Sequence, residues 1–401
     1  MDIAPIDQMD VSDDDLLDQI ERAAFAFFWQ NADLATGQIR DRCLAAGDDS
    51  RTVSSVASTG FGLTTLCIGD SRAYGNHDEI VARVRTTLDF LCNRMPHEHG
   101  FFYHFVDMST GAREFQSEVS VIDTSIVLCG VLTCRAYFAD PAIQTLATQI
   151  YERVNWPWML NGGDTFAEDW TPESGFNPER WDQYSELMMM YLLALGSPTH
   201  PIPPSSWQAW RRPNLTYRGL TYIAGDPGLF THQYSHAWFD FQNASDSFAN
   251  YFQNSIAATI AHRDFCLSLA GRFPQYNSDL WGITASDSPH EYVAWGGPPE
   301  HGPIDGTIVP CATAGSLPFL FRDCIRVLQN IRRNYPRAWQ RYGFVDAFNP
   351  ITGWYDTDVV GIDVGTSVLM AENHRTGLVW RTFMKNPEAV KAMRLAGFHP
   401  D

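Results

Sequence analysis

Glu186 stands at the entry to an apolar run, residues 187–195, and closes a stretch in which rings alternate with carboxylates, amides and glycines. Sugars offer apolar C–H faces to rings and hydroxyls to polar groups, so residues 156–204 read as a carbohydrate cleft. Cleavage of a glycosidic bond needs two carboxyl groups, one to donate a proton and one to act as base or nucleophile. Glu186 suits the first role, because burial beside Trp181, Tyr184 and Met188, Met189 and Met190 would keep its carboxyl protonated near neutrality. The plainer reading is a glutamate in the first turn of a helix, held by the helix dipole.

Asp123 lies in the apolar stretch 121–132, where an unpartnered charge is costly to bury. Glu118 can frame the same helix start, and Asp363 and Glu372 repeat the situation near the C-terminus. The stretch 231–240 is dense in donors, with Tyr234 between His232 and His236. Those histidines have the i, i+4 spacing of a zinc pair, but no glutamate follows the first and no third ligand is marked. Sugar hydroxyls or structural hydrogen bonds are their expected partners, and neither a metal nor a cofactor is expected. Trp281, Asp287 and Trp295 fall in a long loop, 281–306, rich in glycine and proline, of the kind that shapes sites. Phosphate-binding glycine loops and serine-nucleophile elbows are absent from the sequence.

The elements that must position these groups are helices. Apolar residues recur at helical spacing over 13–31, 54–70, 78–95, 120–138, 141–154, 185–195, 246–269, 306–317, 319–335, 361–375 and 387–396. The segment 120–138 is apolar almost throughout and should be an inner helix. Short β segments are expected at 101–106, 220–223 and 293–295. An Asx-x-x-Thr-Gly pattern recurs at Asp33–Gly37, Asp107–Gly111 and Asn349–Gly353, each fitting a tight turn with glycine at positive φ. Many helices of alternating burial joined by aromatic loops suggest an all-α, (α/α)6 toroid of six hairpins, with residues 1–401 as a single domain.

A chain of 401 residues with 45 % hydrophobic content can bury a large core. Its net charge of −19 opposes nucleic acid and anionic lipid as partners. The eight cysteines show no Cys-x-x-Cys spacing, and most sit in apolar runs as buried thiols, which suits a reducing compartment. Residues 1–10 carry neither a basic nor an apolar leader region, and no apolar stretch matches a bilayer span. A cytoplasmic protein is expected, or a periplasmic one had a leader been removed. Its oligomeric state is open.

Several segments carry a resemblance: 57–63 (Ala-Ser-Thr-Gly-Phe-Gly-Leu), 100–105 (Gly-Phe-Phe-Tyr-His-Phe), 156–163 (Trp-Pro-Trp-Met-Leu-Asn-Gly-Gly), 184–188 (Tyr-Ser-Glu-Leu-Met), 232–236 (His-Gln-Tyr-Ser-His), 281–287, 342–349 and 371–380. The chain resembles the glucoamylase-like family related to bacterial endo-β-1,2-glucanases and to the central domain of cyclic β-1,2-glucan synthases. The resemblance implies an (α/α)6 toroid that hydrolyses β-linked glucan by inversion and without metal. It places Glu186 at the family's essential glutamate and Asp123 at a second essential acid. Where those glucanases show Asp-x-x-Glu-Thr, this chain has Ser120-Val-Ile-Asp123-Thr. The leading expectation is an inverting β-glucan hydrolase with Glu186 as acid and Asp123, Glu118 or Asp363 as base. Trp181, Tyr184, Trp281 and Trp295 would stack on glucose units, and His232, Tyr234, His236 and Asp287 would bind hydroxyls. Transglycosylation of β-glucan chains and non-catalytic glucan binding are the alternatives.

Overall fold

Two kinds of helix make up most of the molecule, and burial separates them. Val56–Ser71, Val121–Tyr137, Met188–Gly196 and Gly361–Arg375 are buried on nearly all sides. Asp13–Gln30, His77–Asn93, Pro141–Glu152, Phe321–Asn334 and Pro387–Leu395 bury a single face. The first kind is apolar all round because it packs against other helices on every side; the second is amphipathic because one face meets water. This computed structural model describes residues 11–226 and 228–401. Residues 1–10, whose composition offers no leader signal, lie outside the described residues. Among the described residues no helix is long and apolar enough to cross a membrane.

Local chemistry sets several helix starts. Ser12, Asn76, Asp140 and Asn250 each cap a helix by accepting a backbone N–H with the side chain. The cap at Asn250 starts that helix at Tyr251, later than the periodicity over 246–269 implies. The expected helix at 306–317 shrinks to Pro310–Ala314. Ile308 exchanges two backbone hydrogen bonds with Phe348, which draws the chain before Pro310 into an extended course.

Three inner helices are also led in by strands. Val53–Ser55, Val119–Ser120 and Asp358–Val360 are short strands that run directly into the helices at Val56, Val121 and Gly361. Each strand is pinned by an antiparallel partner: 53–55 by Phe105–Asp107, 119–120 by Asp169–Thr171, and 358–360 by Arg42–Leu44. The strand at Leu220–Ile223 has the expected bounds, whereas 101–106 divides into Phe101–Phe102 and Phe105–Asp107 and the third segment falls at Tyr292–Val293. The three Asx turns form as expected: Asp33, Asp107 and Asn349 accept backbone N–H groups with their side chains. Gly37, Gly111 and Gly353 take φ of 71°, 74° and 74°.

The helices Val56–Ser71 and Val121–Tyr137 meet backbone to backbone. A Cβ on Gly60 would lie 2.5 Å from the Ile126 carbonyl oxygen, and one on Gly130 would lie 2.2 Å from that of Gly60. The main apolar cluster runs from Leu16 to Ala396, and Tyr222, Ala258 and Ala261 form a small second one. All eight cysteines are free thiols, and all but Cys92 are buried.

Candidate functional site

The N-terminal ends of three inner helices open onto one cavity of about 180 Å³. Asp123 enters it from Val121–Tyr137, Asp363 from Gly361–Arg375, and Glu186 from the turn before Met188–Gly196. Phe230, Tyr234 and Tyr292 supply rings, and His104 and Ile122 complete much of the wall. Three carboxyl groups thus face one space lined with aromatic surface.

Glu186 lies outside the helix that its periodicity suggests, which starts at Met188 without a side-chain cap of its own. Its unpaired N–H groups are served from elsewhere: the Ser235 hydroxyl accepts from the Met189 N–H at 3.0 Å and donates to the Glu186 carbonyl at 2.7 Å. That bridge fixes the backbone beneath the carboxyl. Burial pushes the Glu186 carboxyl up to about 7, a backbone hydrogen bond opposes this, and the charges of Asp226 and Asp123 add to the rise. A carboxylic acid is therefore present at neutral pH.

Asp123 sits in the first helical turn, where the Ser120 hydroxyl accepts its N–H at 3.1 Å. His104 lies beside it, with Nδ1 3.8 Å from the Asp123 carboxylate and 2.8 Å from that of Glu118. Burial acts to lower the His104 pKa, but the charge of Asp123 and the Glu118 hydrogen bond outweigh it and raise it to about 9. An imidazolium is thereby held between two carboxylates. Burial alone would raise Glu118, yet its bond to His104 holds it below the usual range. Glu118 acts on the cavity through His104 and does not line it.

Asp363 is buried, and the Cys311 thiol donates to its Oδ1 at 3.1 Å. Burial raises this carboxyl, against the opposing polar contacts of Asp346 and Cys311. Glu372 is remote from the cavity: it pairs with Arg72 at 2.8 Å, beside the buried Glu21 and Arg375.

Most of the rings expected to stack on sugar are structural. Trp281 has no exposed surface, and Tyr184 is equally buried, its hydroxyl 3.1 Å from His232 Nδ1 and its ring against Tyr251. Trp295 is buried and donates to the Ser286 hydroxyl at 2.8 Å. Trp181 is half-buried outside this cavity and donates to the Glu168 carbonyl at 3.1 Å. The two histidines do not share a face, because their segment folds as separate 3-10 turns, Leu229–His232 and Ser235–Ala237. His236 is caged by Phe241, Phe252 and Phe319 with Nε2 on Ser255. His232 instead lines a second cavity of about 140 Å³ with Asp226, His262 and His301. Burial pushes both His232 and His236 down to about 3, so both are neutral. Asp287 pairs with Arg42 at 2.5 Å behind the first cavity. Tyr234 alone among the expected binding residues faces the carboxyl groups.

The cavity also contains residues that motif and spacing do not single out. His104 lies inside the family-like segment 100–105 but carries no mark of its own there. Phe230 reaches the cavity from the turn Leu229–His232 and Tyr292 from the strand Tyr292–Val293, and nothing in their spacing distinguishes them.

The model of the family described as "Putative glucoamylase" matches residues 178–387, just over half of the chain. The chain belongs to this glucoamylase-like family. The matched span holds Glu186, Tyr234 and Asp363, while Asp123 and His104 precede it. The chain is 27 % identical to the exo-β-1,2-glucooligosaccharide sophorohydrolase (non-reducing end) of Parabacteroides distasonis, aligned over 96 % of this chain. It spans 58 % of that relative's length. Its structure is similar to that of the endo-β-1,2-glucanase of Chitinophaga pinensis in complex with sophorotriose and glucose. The TM-score is 0.89 at 27 % identity, covering 97 % of this chain and 99 % of the other. A β-1,2-glucanase from Parabacteroides distasonis is also similar, with a TM-score of 0.87 at 25 % identity, covering 96 % of this chain and 60 % of that one.

Proposed function

We propose that this chain is a glycoside hydrolase that cleaves β-1,2-linked glucan or its oligosaccharides with inversion, on an (α/α)6 toroid formed as a single domain. The observation that carries the reading is Glu186, a carboxyl that burial raises to about 7 and that is opposed by further carboxyl groups across a ring-lined cavity. The β-1,2 linkage is supported by the activities for which similar proteins are named.

Glu186 donates its proton to the glycosidic oxygen as the bond to the anomeric carbon breaks. Asp123 takes a proton from the water that attacks the opposite face of the sugar ring. It suits this better than Asp363 because its carboxylate lies 3.8 Å from the His104 ring, whereas burial favours the neutral form of Asp363. Glu118 keeps His104 oriented and charged. Tyr234, Tyr292 and Phe230 hold the glucose units. Inner and outer helix layers and a continuous core support the toroid and the single domain.

The test is hydrolysis of β-1,2-glucooligosaccharides by the wild type and by Glu186→Gln and Asp123→Asn, with the product anomer read by NMR at early times. Each variant should fold normally and lose about 10²–10⁴-fold in kcat, and the wild type should release the α-anomer. Full activity in Glu186→Gln would refute the acid assignment. Release of the β-anomer would refute inversion, and lengthened or cyclic products would favour transfer.

A further inference from the structure

The cavity holds about 180 Å³, whereas a pocket that encloses a drug-sized ligand runs to about 300–1,000 Å³. It can therefore enclose only a small part of an oligosaccharide, and the remaining sugar units must lie on the surface outside it. Exposed rings, the kind of surface on which sugars pack, are scarce. Phe115, Phe248 and Tyr292 are the only Phe, Tyr or Trp residues with a large exposed fraction among the described residues. Tyr292 lines the cavity, and Phe248 lies under the Arg212 guanidinium, 3.7 Å from its ring centre. Phe115 is the most open of the three, at 72 %.

Phe115 stands two ring contacts from the cavity wall. His104, which lines the cavity, stacks on Phe105 with centroids 3.8 Å apart, and Phe105 meets Phe115 edge to face with centroids 5.8 Å apart. The backbone beneath the ring is strained. Phe115 and Gln116 take φ of 54° and 53°, the only two adjacent non-glycine residues at positive φ among the described residues. A bulky side chain is disfavoured there because its Cβ crowds the backbone. The neighbours impose the conformation. The Glu114 N–H donates to the Phe105 carbonyl at 2.9 Å, and the Ser117 N–H to the Glu114 carbonyl at 2.9 Å. The Ser117 hydroxyl donates to the Phe105 carbonyl at 3.0 Å and accepts the Phe105 N–H at 3.1 Å. Arg113 reaches the Gln116 and Ser117 carbonyls and pairs with Glu173 at 2.7 Å. A turn held at so many points to aim a phenylalanine outward adds little to the core, and strain of this kind gathers where it serves a ligand.

We propose that Phe115 is a stacking platform for a glucosyl unit of the substrate that lies outside the cavity, and that the strained turn 113–117 serves to present it. This rests on the glucan reading of the cavity. The apolar C–H face of a sugar packs on the face of the ring, while its hydroxyls stay in water. A protein partner is a poorer match, because a stable protein interface covers about 800 Å² per side and a single ring offers far less. An anionic ligand is disfavoured by the net charge of −19. The platform acts on chain length: substrates long enough to reach Phe115 bind more tightly than those that end inside the cavity. Glu186 and Asp123 keep their roles.

The experiment compares the full-length wild type with Phe115→Gly, Phe115→Trp and a surface control, Leu34→Ala. It measures kcat/KM on β-1,2-glucooligosaccharides of increasing length, and thermal unfolding. Glycine adopts positive φ freely, so Phe115→Gly removes the ring and the strain together. Its Tm should stay at or above that of the wild type. Its kcat/KM on the longer substrates should fall by about three- to tenfold, the scale of one aromatic contact. The loss should arise in KM and be least for the shortest substrate cleaved. Phe115→Trp should restore the length dependence, and the control should match the wild type. Wild-type kcat/KM in Phe115→Gly at every length would overturn the proposal. So would a loss equal at every length, or a failure of Phe115→Gly to fold, either of which would mark the ring as structural. Failure of the glucan reading looks different: the wild type itself would neither bind nor cleave any of these oligosaccharides, and both readings would fall together.

Discussion

A carboxyl that must give up a proton at neutral pH has first to be kept from ionising, and at Glu186 burial does this. The same burial leaves a trace in stability. The unfolded chain ionises this group near 4.5, while the folded protein holds its proton up to about 7. Below both values the two states are equally protonated. As pH rises from 4.5 to 7 the unfolded state sheds its proton first, so the folded state loses relative stability. Above 7 the loss is complete. A tenfold difference in acid strength between the two states corresponds to about 1.4 kcal/mol, which puts the total loss on the order of 3–4 kcal/mol. Glu186→Gln cannot ionise and escapes this loss. Urea unfolding of both proteins across this range should show the variant gaining on the wild type as pH rises. A constant gap would mean that Glu186 titrates normally and would remove the physical basis for its role as acid.

At the scale of elements, the site depends on how helices start and how closely they meet. Ser235 bridges a helix N–H and the Glu186 carbonyl without touching the cavity. Ser235→Ala should cost about 1–2 kcal/mol in urea unfolding and lower kcat more than it alters KM, since the acid is displaced while the binding wall remains. An unchanged kcat would show that the turn holds its place without the bridge. Gly60→Ala acts elsewhere. Its new methyl would meet backbone at 2.5 Å, which no rotamer change relieves, so a loss of about 1–3 kcal/mol or more is expected from denaturant titration. These two sites also mark what the sequence conveys. Helix 121–137 was legible because nearly every residue is apolar, and the Asx turns because their side chains and glycines act locally. Ser235 was not legible, since the Met189 N–H that it serves lies 46 residues away in the chain. Trp281 and Tyr184 were misjudged for a related reason: an aromatic residue carries no local sign of whether it faces a core or a cleft. His104 and Tyr292 join the cavity only through pairing between parts of the chain distant in sequence.

At the scale of the whole molecule, the question is whether the layers of helix stand or fall together. The apolar cluster runs without a break from Leu16 to Ala396. The first helix, Asp13–Gln30, is tied to the C-terminal part of the chain through Glu21, which pairs with Arg375 at 2.5 Å. The strand Arg42–Leu44 likewise pairs with Asp358–Val360, so both parts of the chain share in the frame around the cavity. A fold laced in this way is expected to unfold as one unit, because each half would expose the apolar faces that the other covers. The 13 tryptophans, spread from Trp29 to Trp380, report on all of it. Unfolding followed by tryptophan fluorescence should coincide with unfolding followed by far-UV circular dichroism, and Gly60→Ala should shift both curves together. Two separated transitions, or a shift confined to one probe, would show that the chain divides into units that fold apart. The Pro-rich stretch 197–206 would then be the place to look for the division.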